Sequence, residues 1–186
     1  MPPLQATLTF GPLIKGQVFC VGDDVSAEDI LAPEYLSFDP DDPEERRWLG
    51  AYALVHLADR CGPFVPVGAF LAPYSILIAG RQFGHGSARI HSPIALAQAG
   101  VRCVVADSFG PGFMRAAING GLLHCMTFAT PGAGRTIETG AAVVVDLDQS
   151  VLQVGHAALA LTPAGVTRQI VEAGGLAACL KAANPR

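Results

Sequence analysis

The run Ser75-Ile76-Leu77-Ile78-Ala79 passes straight into Gly80-Arg81-Gln82-Phe83-Gly84-His85-Gly86-Ser87, and a second apolar run, residues 101–106, follows after a stretch with helical character. A short continuous apolar run is the pattern of a strand covered on both faces. The spacing predicts a helix from about Ala88 to Gln98, ended by Gly100. Strand, glycine loop, helix and strand together make a βαβ unit, for which a right-handed crossover is expected. That unit constrains the chain more than any other feature, because it demands a parallel strand pair inside the molecule with helices laid over it.

The rest of the chain fits around this unit. Residues 14–21 read as a strand closed by the turn signal Gly22-Asp23-Asp24, which hands over to a short acidic loop or turn across residues 25–31. Asp39-Pro40-Asp41-Asp42-Pro43-Glu44-Glu45 places a capping Asp before Pro and acids in the first turn. A helix is predicted from there to about Arg60, with Trp48, Ala51, Tyr52, Val55 and Ala58 on one apolar face before Gly62-Pro63 stops it. Residues 113–118 read as a short helix and Asn119-Gly120-Gly121 as a turn. Strands are expected at 126–129, 136–137, 141–147, 151–154 and 157–161, and helical pieces at 167–172 and 176–182. No linker or repeat divides the chain, so residues 1–186 read as one mixed α/β domain.

Composition narrows the partners. The chain is 51% hydrophobic with a mean hydropathy of +0.39. Even so, its 21 Gly and 14 Pro keep every apolar run well short of the roughly 20 residues that a spanning helix needs, so no membrane partner is expected. Twelve basic residues against 16 acidic ones give a net charge of −4, and no Lys/Arg cluster could neutralise a row of phosphates, which argues against nucleic acid. The opening Met1-Pro2-Pro3-Leu4-Gln5 has neither signal-peptide nor transit-peptide character, and a cytoplasmic location is expected. The five cysteines, Cys20, Cys61, Cys103, Cys125 and Cys179, are odd in number and scattered. They read as buried thiols in a reducing compartment, and no CxxC or Cys/His pair at ligand spacing points to a metal or cluster held by this chain.

The stretch that carries chemistry is Gly84-His85-Gly86-Ser87-Ala88-Arg89-Ile90-His91. Two glycines permit a sharp turn and a close backbone approach to a ligand, and the free amides of a following helix would favour an anion. Ser87 adds a hydroxyl and Arg89 a planar fork suited to a carboxylate. The alternative is a plain glycine loop in which Ser87 caps the helix. On pattern alone that plainer reading is favoured, since such a loop is no more specific than a lone GxGxxG.

Taken whole, residues 80–91 resemble the GxNFGCGSSREH signature of the swivel domain in aconitase-type hydro-lyases, especially the separate small subunit of 3-isopropylmalate dehydratases. Further matches occur in the same order. Gly16 to Asp24 with Ile30 and Tyr35-Leu36 is similar to the family's GxV…GDDISTDxIxPxxYL segment. Ala106-Asp107-Ser108-Phe109 is similar to its APSF, Asn119-Gly120-Gly121-Leu122-Leu123 to its NGLLP, and Ala173-Gly174-Gly175-Leu176 to its GGL. The resemblance implies an α/β fold, a single three-layer β/β/α swivelling domain with mixed sheets, over residues 1–186. It also implies a function shared by two chains in a heterodimer or heterotetramer. A large iron-sulfur dehydratase subunit would hold a 4Fe-4S cluster acting as a Lewis acid on a small carboxylic acid substrate. This chain, with no cofactor of its own, would close over that cluster. By the same resemblance Ser87 would be the catalytic base that removes the proton next to a carboxylate, Arg89 would bind a substrate carboxylate, and Gly84, His85, Gly86 and Ala88 would line the substrate site.

Three departures stand in this loop: His85 replaces the family's Cys, Ala88 its second Ser and Ile90 its Glu. The family's acid falls on Glu28 in an ungapped match and on Asp29 in a shifted one. His85 either contacts substrate or fills the space of the Cys, and His91 is expected to be a structural hydrogen-bonding residue. His56, His124 and His156 read as surface or partly buried. Isopropylmalate is the default substrate by the resemblance, with homoaconitate, maleate, citramalate-type acids and dimethylmalate open, and residues 61–73 are expected to shape the pocket for the substrate's side chain. A non-catalytic carboxylate-binding or regulatory module that kept the fold is the second reading.

Overall fold

The computed structural model describes residues 11–87 and 89–184. In chain order the elements are β1 (Leu13–Cys20), α1 (Ala27–Ile30), α2 (Pro43–Ala51), α3 (Ala58–Cys61), β2 (Tyr74–Ala79), α4 (His91–Gln98), β3 (Cys103–Ala106), α5 (Pro111–Asn119), β4 (His124–Thr127), β5 (Ala142–Asp146), β6 (Val151–Val154), β7 (Ala157–Ala160), α6 (Val166–Glu172) and α7 (Leu176–Ala183). The seven strands form one mixed sheet in the order β4-β3-β2-β1-β5-β6-β7. Strands β1 to β4 run parallel, with β2–α4–β3 as the expected βαβ unit, and β5 to β7 are antiparallel.

Alternation along the strands divides the core in two. Phe19, Leu77, Ala79, Val104, Ala106 and Cys125 face the helices and pack with Leu49, Leu54, Ile94, Leu96, Phe113 and Val171. Ile14, Val18, Ile76, Ile78, Val105 and Met126 point the other way and pack against Val143, Val145, Leu152 and Leu161 from the antiparallel half. Both halves of the sheet therefore contribute to one apolar cluster, which requires the sheet to curl over on itself. The edges meet through an antiparallel bridge between Phe128 and Leu161, with the Ala129 amide bonded to the Ala160 carbonyl at 2.9 Å. One curled sheet supplies both β layers, and the helices over its parallel half supply the third. Among the described residues no helix is long and apolar enough to cross a membrane.

Several elements differ from expectation for local reasons. The helix predicted to reach Arg60 ends at Ala51, because fully buried Leu54 takes a left-handed conformation (φ 58°) and gives its amide to the Ile30 carbonyl. A 3-10 turn, Val55–Leu57, and α3 then restart the helical path. The capping signal held: Asp42 accepts from the Glu44 and Glu45 amides with Pro43 behind it. Residues 25–31 contain a one-turn helix with a Ser26–Asp29 capping box. A strand expected at 136–137 is instead the end of the 3-10 turn Ala133–Thr136, which follows left-handed Gly132 (φ 80°).

Candidate functional site

Beyond the ends of β1, β2 and β3 the three chain segments stay paired. The Asp24 amide donates to Arg81 O (2.8 Å), Gly84 N to Val25 O (2.7 Å) and Ala27 N to His85 O (2.8 Å). On the other side Phe83 N donates to Ser108 O (3.0 Å), Gly110 N to Phe83 O (2.8 Å) and Gln82 N to the Ser108 hydroxyl (2.9 Å). The glycine loop is thus stitched to the chain on either side by isolated parallel bridges, to Ser26 through His85 and to Phe109 through Phe83. Phe83 is fully buried and meets Phe113 and Phe109 edge-on, at centroid distances of 5.1 and 6.2 Å. The two glycines have different reasons to be there. Gly84 (φ 73°) has no room for a Cβ, which would fall on the Phe113 ring, whereas Gly86 (φ 93°) has open space and only its conformation demands glycine.

An ion-pair network braces the same loop. Asp23 accepts from the Arg81 amide (2.9 Å) and pairs with the guanidinium groups of Arg81 (3.1 Å) and Arg135 (3.4 Å). The bond from the Arg81 amide, ahead of the two guanidinium charges, holds the Asp23 carboxyl below its ordinary value. Asp107 in turn accepts from the Gly132 amide (2.8 Å). Asp23, Asp107 and Arg135, with Cys20, Gly80 and Ile137, border a pocket of about 340 Å³ beside the loop. Sequence reading missed this network, because Asp23, Arg81 and Arg135 are separated by 58 and 112 positions. Its one visible trace was Asp23 within a turn signal.

The pairing ends at His85, and Ser87 and Arg89 follow, both exposed. Neither makes a hydrogen bond or ion pair with another described residue. The helix expected from Ala88 begins at His91 with Ile90 as its cap position, so Ser87 is not a helix cap. Gln82 and Gly84 hold positive φ (58° and 73°), so the segment ahead of Gly86 turns rather than joining a helix. Ala88 and the opening Met1–Gln5 lie outside the described residues. Of the two candidate acids, Asp29 has its carboxylate committed to the Ser26 amide (2.8 Å) and hydroxyl (2.7 Å), while Glu28 on the same turn is exposed. The Ser26–His85 bridge sets this turn beside Gly84 and His85.

The histidines separate by partner. His85 Nε2 lies 3.2 Å from Asp24 O, and His91 Nε2 lies 3.2 Å from Phe38 O, the structural role expected of His91. Ser92 donates to Ala27 O (3.0 Å) and ties the first turn of α4 to α1. His124 is buried at 2% exposure, deeper than the surface or partly buried position expected. Among the cysteines, Cys103 and Cys125 are buried and Cys20, Cys61 and Cys179 are partly exposed. Burial pushes the Cys125 thiol up to about 12 and raises Cys103 as well.

The aconitase C-terminal domain family matches residues 72–130, a span that contains β2, the paired loop and β3. The chain is 37% identical over 172 residues to a 3-isopropylmalate dehydratase small subunit of Pyrobaculum calidifontis, covering 91% of this chain and 98% of that one. It is 37% identical over 140 residues to a 2,3-dimethylmalate dehydratase small subunit of Eubacterium barkeri, covering 74% and 76%. The crystal structure of a 3-isopropylmalate dehydratase from Methanocaldococcus jannaschii superposes with a TM-score of 0.74 at 30% identity, over 92% of this chain and 95% of that one.

Proposed function

Because the chain belongs to the family of 3-isopropylmalate dehydratase small subunits, which carries the aconitase C-terminal domain, we propose that it is the small subunit of a two-chain hydro-lyase that isomerises a hydroxy di- or tricarboxylic acid by removing and returning water. The leading substrate is 3-isopropylmalate, and residues 1–186 act as one swivel domain closing over a large subunit in the cytoplasm. One observation carries this reading. A loop stitched to its neighbours on both sides ends in an exposed serine and an exposed arginine that no other described residue engages. In this reading the loop supplies half of a site.

In this reading Arg89 binds a substrate carboxylate through its fork, and Ser87 Oγ, held as the alkoxide, takes the proton from the carbon next to a carboxylate while the hydroxyl leaves with its bonding electrons and takes up one proton from solvent to become water. A serine hydroxyl in open water is too weak a base, so the loop must be covered, and its charge supported by Arg89 and nearby amides, before it works. In the same reading the backbone of Gly84, His85 and Gly86 lines the substrate, with exposed Glu28 on the turn that Ser26 bridges to His85. The donors of this chain do not fit a 4Fe-4S cluster. Cys103 and Cys125 sit in buried strands with raised thiols, and the described residues include no group of three His, Cys, Asp or Glu able to hold a metal. The cluster belongs to the large subunit in this scheme.

The second reading, a carboxylate-binding or regulatory module, is favoured by Ile90, 39% exposed where the resembling signature carries an acid. Anaerobic mixing with the large subunit, with turnover of 3-isopropylmalate and 2,3-dimethylmalate measured in parallel, separates the two. The enzyme reading predicts turnover of one acid by the pair and none by this chain alone. Carboxylate binding that depends on Arg89, without turnover in any mixture, would favour the module.

A further inference from the structure

Two histidines flank the span 86–90, and both reach into the same stretch of chain. His85 Nε2 is 3.2 Å from the carbonyl of Asp24, and His91 Nε2 is 3.2 Å from the carbonyl of Phe38. A carbonyl oxygen only accepts, so each ring must carry its proton on Nε2 and donate it. Neither acceptor is free to drift. Asp24 holds a left-handed conformation (φ 58°) with its amide on Arg81 O, while Phe38 gives its amide to Tyr35 O and its ring joins the Tyr35–Tyr52 stack. The other nitrogen of His91, Nδ1, is buried without a partner among the described residues, so the bond to Phe38 is the ring's only polar tie.

We propose that His85 and His91 are paired positioning residues: each donates from Nε2 to the 24–38 segment, and together they pin both ends of the five-residue span that carries Ser87 and Arg89. The proposal rests on the role given above to those two residues, and it gives His85 a use other than contacting substrate or filling space. Within the span, Ser87 and Arg89 make no hydrogen bond or ion pair with another described residue, and the Ile90 carbonyl accepts the Ile94 amide at 3.1 Å. Positioning matters here because a displacement of about 1 Å at a reacting group costs on the order of a hundredfold in rate.

The test uses the full chain, alone and assembled with the large subunit. Multiple-bond nitrogen NMR at alkaline pH is expected to show the Nε2–H tautomer for both His85 and His91. His85→Phe, which keeps a ring and loses the donor, should speed amide exchange at Gly84 and Ala27 about tenfold, and His91→Phe should do the same at Phe38 and Ile94. In the assembled enzyme each Phe variant should lower kcat by about tenfold or more, and Gln, which keeps an N–H donor, should restore most of it. An Nδ1–H tautomer at either ring, or Phe variants with wild-type exchange and wild-type kcat, would overturn the proposal. If the wild-type assembly turns nothing over, the two-chain reading has failed, and the tautomer and exchange results still decide this one.

Discussion

At the scale of single residues, the loop separates two kinds of glycine that look alike in sequence. Gly84→Ala must place a methyl group on the Phe113 ring as well as accept a positive φ, so a loss of about 3 kcal/mol or more is expected in urea unfolding. Gly86→Ala faces only the conformational penalty, about 1–2 kcal/mol. Equal losses would mean that the Phe113 contact does not govern Gly84. Buried His124 makes the second prediction. Burial pushes its imidazole down to about 4 from 6.5, with Glu172 opposing and the Arg168 and Arg102 charges reinforcing the shift. Between those values the unfolded chain binds a proton that the folded chain refuses, so stability rises with pH across that window. About 3 kcal/mol should be lost as pH falls from 6.5 to 4, and His124→Gln should flatten that slope in pH-dependent unfolding. None of this was legible in the sequence. His124 sits at the start of a strand in a pattern equally consistent with exposure, and its burial comes from the folded chain, where β4 pairs with β3 and meets α5 and α6.

At the scale of elements, the βαβ unit was legible because its two strands are continuously apolar, and β2 and β3 lie where the runs predicted them. The long helix before it was not. The apolar periodicity through Val55 and Ala58 continues across a break where left-handed, fully buried Leu54 bonds to Ile30, a tertiary contact without a local signal. The start of α4 falls at His91 rather than about Ala88, because the loop's sequence carries no signal for where its bridges to Ser26 and Phe109 hand over to the helix. Phe83 is the anchor of that arrangement. Phe83→Ala should cost about 3–5 kcal/mol, and partial urea unfolding followed by hydrogen exchange should show Gly84 and Gly110 losing protection first. Full protection at those amides in the variant would mean that the backbone pairing, not the buried ring, fixes the loop.

At the scale of the whole molecule, the family was legible from an ordered set of motifs spread over nearly the entire chain, and the fold agrees with it. The expected two β layers are one sheet curled until Phe128 meets Leu161, a closure that strand patterns cannot announce because they give faces and not partners. The candidate site could be listed from the sequence, but its arrangement could not. The Asp23 bridges to Arg81 and Arg135, and the exposure of Ser87 ahead of a later helix, follow only from the folded chain. The central claim is that this chain contributes Ser87 to a site completed by a second subunit. The most direct measurement is turnover of 3-isopropylmalate by the anaerobically assembled pair, comparing wild type with Ser87→Ala and following the stability of each chain by urea unfolding. The account predicts no turnover by either subunit alone, turnover by the pair, and loss of at least about a thousandfold with Ser87→Ala at unfolding free energies within about 0.5 kcal/mol. Near-full activity of the Ser87→Ala pair, or equal turnover by this chain without its partner, would contradict it.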